Sequence, residues 1–151
     1  MNKFFISLAT ALTFLSCSDI LAQGSGYDVF VPISKYIGKG DAESLSAWFS
    51  DNLEVTIFSN SNDSSRSQAT QIIKSFFRSY TPRSFELTHK AGRSNMKYAL
   101  GTLNAGGENF LVTIFVGYYE SGYRIQHIKI ERSEQFLRFG TVLAYSLHRL
   151  V

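Results

Sequence analysis

Cysteine occurs once in the 151 residues, proline and tryptophan are nearly as rare, and histidine appears only at positions 89, 127 and 148. One cysteine excludes an internal disulfide and a thiolate metal cluster, so stability has to come from packing. The three histidines show no His-Glu-x-x-His and no other helical ligand spacing, so no metal motif is present. Charge is also sparse. Charged residues make up 18% of the chain, and the net +3 comes from scattered Lys and Arg, not from a basic stripe, which argues against nucleic acid as a partner. There is no Gly-x-x-x-x-Gly-Lys and no glycine fingerprint between a strand and a helix, hence no phosphate loop, and no cofactor is expected. Internal repeats and a second domain are likewise missing.

What the chain does have is apolar and aromatic surface. Apolar residues make up 44%, with 13 Phe and 8 Tyr, which suits one globular domain with β-structure or a pocket with aromatic walls. The first 22 residues read as a targeting segment. After the basic start Asn2-Lys3, the mostly apolar run Phe4–Leu15 is too short to span a bilayer and fits the core of a signal peptide. Ile20-Leu21-Ala22 before Gln23 fits signal-peptidase cleavage at Ala22, the site favoured here. Phe14-Leu15-Ser16-Cys17 loosely resembles a lipoprotein box, in which Cys17 would be acylated and the product anchored to a membrane. Cleavage after Ala22 removes Lys3, Asp19 and Cys17, leaving the charge unchanged and no cysteine. Export to the periplasm or beyond is the expected localisation, with membrane contact only if Cys17 is lipidated.

Helices dominate the first half. Val29, Phe30, Ile33, Tyr36 and Ile37 have the spacing of one helical face, with Pro32 in the first turn and Gly38-Lys39-Gly40 closing the helix. Asp41 suits the N-cap of a second helix with Leu45, Trp48 and Phe49 at i, i+3 and i+4. Ser50-Asp51-Asn52 reads as a turn, Leu53–Phe58 as a strand and the polar run Ser59–Ser65 as a loop. Ser65 and Gln68 have capping-box spacing for a third helix carrying Ala69, Ile72, Ile73, Phe76, Phe77 and Tyr80, ended by Thr81-Pro82.

The second half reads as four strands in a meander: Phe85–Ala91, Met96–Asn104, Glu108–Tyr119 and Tyr123–Glu131. The third is apolar on both faces, so it should be central, with helices on one side and a dimer partner on the other. In the fourth, Ile125 would face away from Ile128 and Ile130 unless a bulge falls between Gln126 and His127. Gly101, in mid-strand, marks a bend or bulge. Beyond Arg132, Phe136, Phe139, Leu143, Leu147 and Leu150 recur at helical steps; residues 132–151 read as a separate tail.

Gly40–Phe49, Ser65–Ala69, Phe76-Phe77, Tyr80–Phe85 and Asn95–Leu103 resemble the bacterial domain of unknown function 4783, a family of exported proteins of Bacteroidetes, and the resemblance runs from about Tyr27 to Glu131. It implies an α+β fold of the nuclear-transport-factor-2-like, cystatin-like type: a cone-like curved antiparallel sheet wrapped around N-terminal helices. It brings no known activity. In that fold Trp48, Phe49, Phe76, Tyr80, Tyr98 and His127 are the candidates for lining a ligand pocket, although aromatic residues at helical spacing serve equally well as core. Acids fall in turns, caps and strand ends, which argues against the isomerase or dehydratase use of the fold; the alternative reading is a small pocket enzyme (isomerase, dehydratase or hydrolase) with Tyr98 and His127 as its proton-transfer pair. The expected role is a non-catalytic module binding a small apolar ligand or an envelope protein, as a homodimer through the open sheet face.

Overall fold

The computed structural model describes residues 28–133; the processing sites at Cys17 and Ala22-Gln23, the entry through Tyr27 and the tail beyond Ser133 lie outside the described residues. Three helices precede most of the sheet. α1 (Phe30–Lys39) buries Phe30, Ile33 and Ile37, and Gly40 ends it with φ 67°, a left-handed conformation that side-chain-bearing residues resist. α2 (Ala42–Ser46) is capped by Asp41, whose carboxylate accepts the Ser44 N–H at 3.0 Å. α3 (Arg66–Ser79) starts with the capping box the sequence predicts: Ser65 Oγ accepts the Gln68 N–H at 3.3 Å, and Gln68 Oε1 accepts the Ser65 N–H at 3.0 Å. Such a cap contributes about 1 kcal/mol.

The sheet has six strands: β1 (Phe49–Ile57), β2 (Asn60–Ser65), β3 (Pro82–Gly92), β4 (Met96–Ala105), β5 (Glu108–Tyr119) and β6 (Gly122–Arg132). Their order is β2-β1-β6-β5-β4-β3, so the meander β3–β6 is intact and β1 inserts beside β6 in parallel. β5 is central, as its two apolar faces require. Phe110, Val112, Ile114 and Val116 are fully buried toward the helices, while Leu111, Thr113 and Phe115 are half-buried on the opposite face. α1 packs on β3 and β4, α3 on β1 and β2, and α2 between α1 and α3.

Two irregularities curve the sheet where the sequence points to them. Gln126 is the extra residue of a bulge in β6: Phe115 pairs with His127 and Val116 with Ile125, so Ile125, Ile128 and Ile130 all reach the core. At Gly101 the bulge lies on the neighbouring strand, with Thr88 as the extra residue, and the Phe85 ring lies where a Cβ on Gly101 would sit.

Three expectations are corrected. Trp48 and Phe49 do not continue α2: the helix stops at Ser46, the Trp48 carbonyl accepts the Ile125 N–H at 2.6 Å, and Phe49 opens β1 opposite Ile125. Ladder bonds to β6 outweigh the helical spacing of three residues. Ser50-Asp51-Asn52 is not a turn but the irregular start of β1, where Ser50 Oγ donates to the Ile125 carbonyl at 2.8 Å. Ser59–Ser65 is not a loop: Asn60–Ser65 form the edge strand β2, paired with β1 from Ile57↔Asn60 to Asn52↔Ser65. An edge strand with one partner needs no apolar face, so polar composition does not forbid it.

Candidate functional site

The β1–β2 turn and the second half of α3 flank an open cleft of about 510 Å³. Its floor is apolar, made of Ile57, Phe58, Ile72, Phe76 and Tyr80, and its rim is uncharged: Asn60, Asn62, Gln71, Ser75 and Ser79. The helix supplies one wall because Ile72 and Phe76 stand four residues apart. The other wall depends on Phe58, which has φ +58° and is the one non-glycine residue with positive φ among the described residues. It occupies the first loop position of the hairpin, where glycine is the usual resident. Its N–H donates to the Ile130 carbonyl at 2.8 Å, and its ring packs against Phe76, Tyr80 and Phe110 at centroid distances of 6.3, 6.1 and 6.1 Å.

Arg132 packs on two of the lining rings. Its guanidinium lies 4.3 Å from the Phe58 ring centroid and donates to Tyr80 Oη at 2.8 Å, while its Nε donates to Glu108 at 3.0 Å. The hydrogen bond to Glu108, then the neighbouring Tyr80, hold the guanidinium above its already high ordinary pKa against the opposing effect of burial. Arg132 is therefore a permanent cation stacked on the cleft wall.

The candidates fall into four places. Phe76 and Tyr80 line this cleft. Phe49 is fully buried in the core, as Phe77 nearly is, and neither meets a cavity. Trp48 borders a second cleft of about 450 Å³ with Val29, Lys97, Tyr118, Tyr123 and Arg124. Tyr98 and His127 lie on the open face of the sheet, not beneath it. The space expected under the sheet is filled by Ile73, Val55, Val112 and their neighbours, and the cleft opens instead at the β1–β2 edge.

On the open face, rings form a row across four strands. His89 and Tyr98 are 5.8 Å apart, Tyr98 and Phe115 5.8 Å, and Phe115 stacks on His127 at 5.7 Å with planes 15° apart. Tyr98 Oη faces His89 Nε2 at 3.4 Å, so the histidine near Tyr98 is His89; Phe115 separates it from His127. His127 contacts Thr56 Oγ1 at 3.2 Å through Nε2 and Glu54 at 3.8 Å through Nδ1. The expected Tyr98–His127 pair is not formed, and no group of three metal-ligating side chains occurs among the described residues.

Phe58 and Arg132 were missed by sequence reasoning. Strict alternation puts Phe58 on the polar face of its strand, and Arg132 stands one residue past the expected domain end. An aromatic residue immediately before a Ser-Asn run was the available signal.

A family model described as domain of unknown function (DUF4783) matches residues 30–131. Among solved structures, the chain is similar to a DUF4783 family protein from Bacteroides uniformis at 22% identity, covering 70% of this chain and 98% of that one, with a TM-score of 0.68. One from Bacteroides fragilis matches at 24% identity, 70% and 100% coverage and a TM-score of 0.67. A domain of unknown function with a cystatin-like fold from Nostoc punctiforme matches at 15% identity, 78% and 91% coverage and a TM-score of 0.56. These likenesses show the fold, which is cystatin-like and nuclear-transport-factor-2-like as expected. No curated protein matches the chain.

Proposed function

We propose that the chain, which belongs to the DUF4783 family, is an exported, non-catalytic binding module whose cleft between α3 and the β1–β2 turn takes an apolar ligand or the apolar side chains of an envelope partner. One observation carries this reading: the cleft is lined by five apolar or aromatic side chains and five uncharged polar ones, with no acid, histidine or lysine among them. The one titratable side chain in the lining, Tyr80, accepts a hydrogen bond from Arg132 at 2.8 Å and has no acid, histidine or lysine beside it in the lining to complete a proton-transfer pair. Arg132, which packs on the Phe58 ring, is committed to Glu108 and Tyr80. An apolar floor with a few polar rim groups is the usual construction of a small-molecule site. Export rests on the Asn2–Ala22 pattern.

The test uses N-phenyl-1-naphthylamine, a neutral apolar probe suited to an uncharged lining. Ser75 stands on the rim, outside the buried core, so Ser75→Trp should fill the cleft without disturbing the interior. Saturable fluorescence enhancement that Ser75→Trp weakens at least tenfold, at unchanged melting temperature, is the expected result. Equal binding by both chains would overturn the assignment.

A second reading concerns self-association through the open face. The row His89, Tyr98, Phe115, His127 carries an imidazole at each end and six-membered rings between, flanked by half-buried Leu100 and Leu111. A two-fold interface buries the same patch of both chains against itself, and a row of rings on an open sheet face offers such a patch. Sedimentation should show a dimer that Phe115→Lys converts to monomer; a monomeric parent at high concentration would end this reading.

A further inference from the structure

The uncharged cleft beside α3 adjoins the end of β6, through Arg132; the second cleft adjoins the start of that strand and has the opposite chemistry. Alternation carries Lys97, Tyr118 and Tyr123 onto the helix-facing side of β4, β5 and β6, two residues from the buried Ala99, Val116 and Ile125. Val29, ahead of α1, and Trp48, ahead of β1, add apolar lining to a cleft of about 450 Å³. The rings are held in place. Tyr123 Oη donates to the Ser94 carbonyl at 2.7 Å, and the Tyr118 ring meets Tyr123 edge-on at a centroid distance of 5.1 Å. Tyr118 is 60% exposed, so its ring is presented to solvent and not spent in the core. Two cations share the lining. Lys97 Nζ stands 4.5 Å from the Tyr123 ring centroid, and Arg124 Nη1 donates to the Tyr123 carbonyl at 2.9 Å. Neither forms an ion pair among the described residues. Of the acids around the cleft, Asp28 pairs with Lys90 at 2.5 Å, Asp51 pairs with Arg66 at 2.9 Å, and Glu120 in the β5–β6 turn is exposed and outside the lining.

We propose that the cleft between Trp48, Tyr118 and Tyr123 is a second site, which binds a small organic anion: a carboxylate or similar acidic group carried on a flat apolar ring. The aromatic walls take the ring, and Lys97 and Arg124 take the charge. The planar guanidinium matches the two oxygens of a carboxylate, while the ammonium acts as a point charge beside it. Two positive charges without a negative one in the lining favour an anion and repel a cation. The proposal does not depend on the α3 cleft, whose uncharged lining suits a neutral ligand. The two clefts sort ligands by charge.

The test uses 1-anilinonaphthalene-8-sulfonate, which is N-phenyl-1-naphthylamine with one added sulfonate, so the two probes differ by a single anionic group. In calorimetric titrations, Lys97→Met with Arg124→Met should weaken sulfonate binding at least tenfold at unchanged melting temperature, and Ser75→Trp should leave it within twofold of the parent. Binding of N-phenyl-1-naphthylamine should stay within twofold in the Lys97→Met, Arg124→Met chain. Sulfonate binding that survives the double change, or that Ser75→Trp abolishes instead, would overturn the proposal. 2-Naphthoate should displace the sulfonate, and acetate at the same concentration should not; displacement by both would overturn the requirement for a flat ring. Trp48 is the sole tryptophan and lines the cleft, so the unmodified chain supplies a reading that stands if the double variant melts early. Relative to free N-acetyltryptophanamide, iodide should quench Trp48 emission at least threefold more steeply than caesium ion at low salt. Equal relative quenching would show that the cleft is not positive and would likewise overturn the proposal.

Discussion

The cleft beside α3 and the ring row on the open face divide between them what an active site would have to combine. The cleft has a concave, largely apolar surface open to solvent, with Tyr80 as its one titratable lining side chain and no acid, histidine or lysine. The row has two histidines, a tyrosine and, next to His127, Glu54, all on an open sheet face. Proton transfer inside a dry pocket needs both properties in one place. This fold keeps them apart, on opposite faces of one sheet. Among the described residues, the proposed binding cleft and the ring row therefore call for different tests.

Substitutions can break or sharpen this contrast. Gly101→Val should have the largest effect, because it drives a side chain into the Phe85 ring and damages the platform both regions share. Overpacking of this kind costs about 1–3 kcal/mol, to be read as a lowered midpoint in urea denaturation. A normal midpoint would mean that the Phe85 ring moves aside freely. Ser75→Trp should weaken N-phenyl-1-naphthylamine binding at least tenfold and leave sedimentation unchanged. Phe115→Lys should do the reverse, dissociating the dimer while the probe binds as before; if either change alters both readouts, the two regions are coupled. Tyr98→Phe and His127→Ala should leave probe binding within twofold of the parent, and a large loss from either would return the proton-transfer pair to consideration.

The smallest effect concerns pH. For Asp28, burial alone would raise the carboxyl pKa, but the Lys90 hydrogen bond, the Phe30 N–H and the charges of Lys90 and Lys97 outweigh it and hold the pKa below 3.8. Asp41 is held below 3.8 by the Ser44 hydroxyl and N–H. A depressed folded-state pKa contributes stability that is present above 3.8 and lost as pH falls through the lower folded value. Asp41→Asn should flatten the acid limb of a thermal-shift profile slightly, and an unaltered limb would show that the cap does not titrate in this way.

The strands of the meander were legible because their apolar alternation is strong and their turns are short. Even the β6 bulge could be placed within a residue, since three isoleucines had to reach one core. α3 announced itself through Ser65 and Gln68. Illegible were the elements whose conformation depends on a distant partner. Phe49 is a strand residue because Ile125 lies opposite it, and Asn60–Ser65 extend because β1 offers a ladder. Local propensity carries no record of either. The candidate site was half legible for the same reason. Phe76 and Tyr80 follow from helical spacing, but Phe58 enters the wall through a positive φ that no alternation rule anticipates, and Tyr98 and His127 fell on the opposite face.

Parallel pairing of the first strand with the last has a consequence for assembly. Ser50 bonds to Ile125, 75 positions downstream, and β1 has only the polar ribbon β2 beside it until β6 arrives. An emerging polypeptide therefore cannot complete its hydrophobic interior piecemeal. Collapse to the finished form waits for nearly the entire domain, and loop closure over that distance sets the pace of folding.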